Sequence, residues 1–269
     1  MVFLSILRNE SLIIRSILVL LLLHVNFVVA GQTFAPKPSW SQEFHSWRNK
    51  PLNGWFVDVA DYKSEAQQYT DSIGNLYCKN GFLHLRATAD KRGNKVCSSA
   101  RISTKGYKSF LYGKLEIRAK IQTGKGIFPA IWMLREDHGM VFPLGEIDIM
   151  EYIDCFESRQ YHTTVHIVEK EFGKEEIRHK HYQSVEANMK KFHKYTLEWT
   201  ANYLLFKLDG KEVNRVKKED AEFWPFDVPY VLILNVAYGS WGAQCGTDES
   251  IFPKEMIIDW IRYYPLVNN

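Results

Sequence analysis

Beyond about residue 33 the chain is dominated by strict alternation of apolar and polar positions. Phe82–Ala87 (FLHLRA) and Gly113–Ile121 (GKLEIRAKI) follow this period of two, and Tyr195–Trp199, Tyr203–Leu208 and Ile257–Tyr264 read as strands too. Successive side chains of a strand point to opposite faces, so each run predicts a strand with one face in a core. Tyr195–Trp199 and Tyr203–Leu208 lie close enough to form a hairpin, and Asp209-Gly210 marks a tight turn after them. Pro129–Leu134 is apolar throughout and predicts a buried strand. Helical signal is confined to Lys217–Glu222 and Val185–Lys191. Many short strands at regular spacing with little helix predict an all-β sandwich or barrel. No repeat or change of composition divides the chain, so a single domain over residues 31–269 is the simplest organisation.

One strand departs from the pattern. Glu146-Ile147-Asp148-Ile149-Met150-Glu151 places three carboxylates in what otherwise reads as buried sheet. Glu146 and Asp148 share a face by period, and Ile147 and Ile149 take the other. Glu151 is out of phase unless one extra residue near Ile149 or Met150 forms a β-bulge, a device that re-aims side chains beside active sites. Three acids on one face of an apolar strand are costly unless they meet water, a metal or a substrate. A lone pair of such acids is usually a solvated face. Here the apolar flanks, Pro129–Leu134 before and Tyr152-Ile153 after, favour a functional carboxylate cluster.

Composition narrows the setting. The chain has 269 residues, 46% hydrophobic, enough for a large core, and its formal net charge of +3 is too small and too evenly spread for a nucleic-acid surface. The N-terminus has the layout of an export signal: Arg8 and Arg15, the apolar run Ile17–Leu23, then Val28-Val29-Ala30. Residues 1–30 are therefore expected to be a signal peptide of a secreted or periplasmic protein. An uncleaved anchor is the alternative, although His24 and Asn26 interrupt a run already short for a membrane span. No other segment could cross a membrane, and a monomer is expected. Cys78, Cys97, Cys155 and Cys245 could oxidise in such a compartment. Cys78 and Cys97 lie on neighbouring strand-like runs and are one possible pair, but four cysteines allow three connectivities and spacing does not choose.

The acidic hexapeptide sits within a longer ordered series: Trp40–Phe44, Ser99–Thr104, Tyr112–Lys120, Pro129–Leu134, Gly145–Tyr152, Thr164–His166, Phe192–Tyr195, Trp224–Asp227, Leu234–Ala237 and Asp259–Arg262. Together these resemble glycoside hydrolase family 16, most closely its laminarinase-like β-glucanases. The resemblance implies a jelly roll of two curved antiparallel sheets, with a polysaccharide lying along a concave cleft. It implies a retaining hydrolase of β-1,3 or mixed β-1,3/1,4 glucans that needs no cofactor for chemistry. Glu146 would be the nucleophile, Glu151 the general acid/base, and Asp148 an assistant to the nucleophile. A galactan hydrolase, a transglycosylase and a non-catalytic glucan-binding protein are the alternatives within this fold.

Sugar rings stack their C–H faces on aromatic side chains. Trp132 and Trp241 are candidate substrate platforms, and His166 resembles a family position beside the cleft; a core position is the alternative for each. The family resemblance also implies a structural calcium, for which Asp259, the main chain at Gly81 and Glu43 are the matching positions. Arg178-His179-Lys180-His181 reads as a solvated basic loop. Phe142-Pro143-Leu144 stands where laminarinases usually carry a tryptophan, and Asp154–Glu157 is unfamiliar, so the linkage preference stays open.

Overall fold

The computed structural model describes residues 33–45, 52–136, 144–155, 160–169 and 177–267. The expected signal peptide lies outside the described residues. In chain order the strands begin with β1 (Thr33–Phe34), β2 (Trp40–Gln42), β3 (Phe56–Val57), β4 (Gln67–Tyr69), β5 (Leu76–Lys79) and β6 (Phe82–Ala87). They continue with β7 (Cys97–Ser99), β8 (Arg101–Ser103), β9 (Gly113–Ile121), β10 (Ile127–Arg135), β11 (Leu144–Glu151) and β12 (Gln160–Glu169). The rest are β13 (Ile177–Glu186), β14 (His193–Trp199), β15 (Tyr203–Leu208), β16 (Lys211–Lys217), β17 (Tyr230–Tyr238), β18 (Lys254–Tyr264) and β19 (Leu266–Val267).

Two antiparallel sheets carry the architecture, as expected for a jelly roll. One has seven strands in the order β13-β12-β11-β10-β17-β8-β3, and the other runs β16-β15-β14-β9-β18-β6-β5 with β2 paired to β18. Neither closes into a barrel. The alternation read from sequence sets which face each residue takes. Ile131, Met133, Ile147, Val165, Ile167, Leu232 and Leu234 of the first sheet are buried, as are Leu115, Ile117, Leu197, Leu204, Phe206, Ile258 and Ile261 of the second. Burying such side chains is worth roughly 1.5–3 kcal/mol each, so the interface between the sheets dominates stability. The seven-stranded sheet therefore keeps its other face available for polar residues.

Most strand expectations agree with the structure. β6 and β9 coincide with the runs predicted, β14 and β15 form the predicted hairpin, and Lys218–Asp220 makes one 3₁₀ turn within Lys217–Glu222. The helix expected over Val185–Lys191 does not form. Val185 pairs with Tyr161 at the end of a ten-residue antiparallel ladder, and that ladder outweighs a weak helical tendency. The basic run 178–181 is likewise part of β13 rather than a loop.

The cysteine pairing is decided by topology. Cys155 and Cys245 form a disulfide with Cα atoms 5.3 Å apart. Cys78 and Cys97 are free, which corrects the pairing considered for them. Cys78 lies in β5 opposite Leu83, whereas Cys97 lies in β7 beside Gln67 in a separate two-stranded sheet. Burial pushes their thiols up to about 11 and about 12 respectively, so neither is a reactive thiolate at neutral pH.

Candidate active site

The site grows from the bulge in β11. Against β10, Met150 faces Ile131 while Asp148 faces Trp132, which leaves Ile149 as the extra residue. Against β12, Asp148 pairs with Thr164 and Glu151 with His162, again one residue out of step. The bulge restores Glu151 to the face of Glu146 and Asp148, as the sequence required. Gly145 permits the strand to lie where it does. A Cβ there would meet the Tyr230 hydroxyl at 2.1 Å and Phe226 at 2.7 Å, so only glycine allows this close approach immediately before Glu146.

Cross-strand pairing then assembles the surroundings. His166 lies opposite Glu146, Thr164 opposite Asp148, and Lys180 of β13 opposite His166. Glu146 and Glu151 are partly accessible, while Asp148 is 1% exposed. His166 Nε2 stands 3.2 Å from Asp148 Oδ2, and Thr164 Oγ1 donates to Glu151 Oε2 at 3.2 Å. Glu146, Asp148 and His166 each bring a polar side-chain atom within 4.8 Å of the others.

The electrostatics separate the three acids. Burial raises the Glu151 carboxyl to about 7, with repulsion from Glu146 next and opposing help from Thr164 and Lys180. Asp148 is held well above the usual carboxylate range, chiefly by burial and then by the charges of Glu151 and Glu146. Glu146 is also raised by burial, but a hydrogen bond with Asp148 and the charges of Arg101 and Lys180 pull it back. The shared hydrogen bond favours the ionised form of Glu146 and the protonated form of Asp148. Burial thus raises all three carboxyls, and neighbouring charges and hydrogen bonds oppose the rise at Glu146 and Glu151.

Trp132 lies on this face, neither in the core nor fully exposed. Its Nε1 donates to Asn235 Oδ1 at 2.7 Å, and the Arg101 guanidinium packs 5.0 Å from its ring. Trp241 lies in the 3₁₀ segment Ser240–Cys245 and is 47% exposed. Gly239, at φ 77°, makes the turn into that segment, and the disulfide from Cys245 ties it to the chain following β11. Lys180 Nζ lies 4.9 Å from the Trp241 ring.

The two carboxylates expected to hold calcium are each paired with an arginine. Glu43 accepts from Arg262 at 2.8 and 3.0 Å, and Asp259 is paired with Arg118. At Gly81 an added Cβ would lie 2.7 Å from His45 Nδ1. Both carboxylates are already neutralised by arginine, whose charge would repel a divalent cation.

Sequence reading missed four residues on this face. His162 lies opposite Glu151, and burial pushes its imidazole down to about 4. Tyr182 stacks on His162 with ring centroids 4.8 Å apart. Arg101 and Lys180 act on the acids from β8 and β13. None shares a local motif with the acids, and only strand order places them together.

Comparison with known proteins agrees with this architecture. The sequence profile of glycosyl hydrolases family 16 matches residues 62–262. A β-glucanase from Rhodothermus marinus is 34% identical over 247 residues, covering 84% of each chain. The crystal structure of the laminarinase from Rhodothermus marinus superposes with a TM-score of 0.78 at 31% identity, covering 88% of this chain and 100% of that one. SCLam, a non-specific endo-β-1,3(4)-glucanase, superposes with a TM-score of 0.74 at 31% identity, covering 87% of this chain and 93% of the other. The family profile, the bulged acidic strand and the paired antiparallel sheets lead to one conclusion: this chain belongs to glycosyl hydrolases family 16.

Proposed function

We propose that the protein is a retaining endo-glycosidase that cleaves β-1,3 or mixed β-1,3/1,4 glucans by double displacement. The observation that carries this reading is the bulge in β11 that sets Glu146, Asp148 and Glu151 on one face of the sheet, opposite His166, Thr164 and His162. Ionised Glu146 attacks the anomeric carbon while Glu151 gives its proton to the departing glycosidic oxygen. Glu151, now a carboxylate, takes a proton from water, and the water oxygen displaces Glu146 from the anomeric carbon. Asp148 donates a hydrogen bond to Glu146 in this reading, and His166 Nε2 lies 3.2 Å from Asp148 Oδ2. This chemistry runs on two carboxyl groups and needs no cofactor.

Trp132 and Trp241 serve as sugar platforms in this reading, supported by the pairing of Trp132 with Asp148 and by the exposure of the Trp241 ring. The substrate is taken to be β-glucan because the relatives described above are β-glucanases. Among the described residues no helix is long and apolar enough to cross a membrane. The Cys155–Cys245 disulfide supports an oxidising compartment, and hence export directed by residues 1–30.

A product profile on laminarin, lichenan, agarose and carrageenan tests the assignment. New reducing ends from laminarin and lichenan, released first as the β-anomer, are expected. Cleavage of only the galactans would replace glucan as the substrate, and glucan binding without new reducing ends would make this a binding protein.

Asp148→Asn should lower kcat roughly tenfold to a hundredfold, the effect of weakening one charge-assisted hydrogen bond worth about 1.5–3 kcal/mol. Steady-state kinetics on laminarin measure it, and wild-type turnover would reduce Asp148 to a packing role.

A further inference from the structure

The basic run in β13 has a place in the fold that its sequence did not suggest. Lys180 lies opposite His166, which lies opposite Glu146, so the three form one row across adjacent strands. Two strand spacings put the Lys180 and Glu146 backbones about 10 Å apart. The Lys180 ammonium lies 5.1 Å from the ring of Tyr182 and 4.9 Å from the ring of Trp241. These rings come from different parts of the chain, and both are close to half exposed. An ammonium over an aromatic face is attracted to it without losing its charge. Arg101, the other cation near the acids, is held differently: it lies 3.3 Å from Asp58 and packs on Tyr62 and Trp132. Among the described residues Lys180 has no carboxylate within ion-pair distance, so its field is not cancelled by a direct partner.

We propose that Lys180 is a positioning residue that sets the pH window of the Glu146–Glu151 pair, with Tyr182 and Trp241 as the aromatic cradle that keeps its ammonium over the acidic face. The inference rests on the glycosidase reading above. The charged and titratable groups facing this space are Glu146, Asp148 and Glu151 on β11, His162 and His166 on β12, Tyr182 on β13 and Arg101 on β8. His162 is neutral across the working range because its imidazole is pushed down to about 4. Lys180 acts on all three acids, whereas Arg101 acts on Glu146. A positive charge favours the ionised carboxylate, so Lys180 keeps Glu146 ionised at lower pH and limits the rise at Glu151. Its removal moves both groups upward.

The test is the pH dependence of kcat/KM on laminarin for the wild type, Lys180→Met and Lys180→Arg. Lys180→Met should move both limbs of the profile upward by about half a unit or more, a charge effect over this distance that added salt reduces. Lys180→Arg should keep the wild-type limbs because it retains the charge and the ring contacts. A changed KM with unmoved limbs in Lys180→Met would make Lys180 only a sugar contact and overturn the proposal. If Lys180→Met is too slow for kinetics, NMR titration of ¹³C-labelled glutamate carboxyls reads the same shift directly. Unshifted Glu146 and Glu151 signals there would also overturn it. A wild-type protein that releases no reducing ends would instead remove the glycosidase reading beneath it, a failure that looks different from active enzymes with unmoved limbs.

Discussion

Glu146→Ala leaves a folded protein that no longer hydrolyses laminarin, with kcat reduced roughly 10⁴-fold or more, the scale seen when a catalytic nucleophile is deleted. The residue lies at the acidic face rather than in the core, so its loss opens no cavity between the sheets. Without the carboxylate no glycosyl-enzyme forms, although Glu151 can still donate a proton. The variant therefore has a second signature. A small external anion such as azide can occupy the vacated space, attack the anomeric carbon and release an α-glycosyl azide from a β-linked substrate. Mass spectrometry and NMR of the product check both parts. Near-wild-type turnover would remove Glu146 from the mechanism.

Glu151→Gln should cost about 10²–10⁴-fold in kcat, the usual contribution of general acid–base catalysis. It should at the same time make the protein more stable at neutral pH. The Glu151 carboxyl is raised to about 7 in the folded state, above its ordinary value of 4.5. A raised acid binds its proton more tightly when folded, so the stability it contributes is complete below 4.5 and is lost as pH rises through about 7. The neutral amide avoids that loss, worth up to about 3 kcal/mol for this shift. Thermal unfolding should show a higher Tm for Glu151→Gln at pH 8 and little difference at pH 4. The same carboxyl sets the alkaline limb of wild-type kcat/KM near pH 7, while protonation of Glu146 sets the acid limb. The observed limbs belong to the coupled acids together. An active, unstabilised Glu151→Gln protein would show that this residue neither donates the proton nor holds one.

The D148N, E146A and E151Q variants all probe residues that were visible in the sequence, and the reason is local. Alternation in Gly113–Ile121 and Phe82–Ala87 reports a strand because side-chain direction repeats every two residues, whatever the partner. The phase error of Glu151 in EIDIME reports a bulge for the same reason, and β11 contains it. Val185–Lys191 was misread because its local tendency is weak and its partner, β12, lies outside the window. Lys180 was placed in a loop because four consecutive basic and imidazole residues give no strand alternation, yet it lies in β13 with its side chain exposed. Glu43 and Asp259 could be matched to calcium positions by resemblance, but their arginine partners, Arg262 and Arg118, are across strands and carry no local signal.

The sequence alone determined the strand faces, the acid trio, its bulge and the family, since each is written in the order and spacing of neighbouring residues. Only the tertiary structure decided which cations face those acids, that Cys155 joins Cys245, and that Trp241 stands beside Lys180. Those contacts depend on which strands become neighbours in the sheet. That choice is set by burying the whole core at once, and no short stretch of chain encodes it.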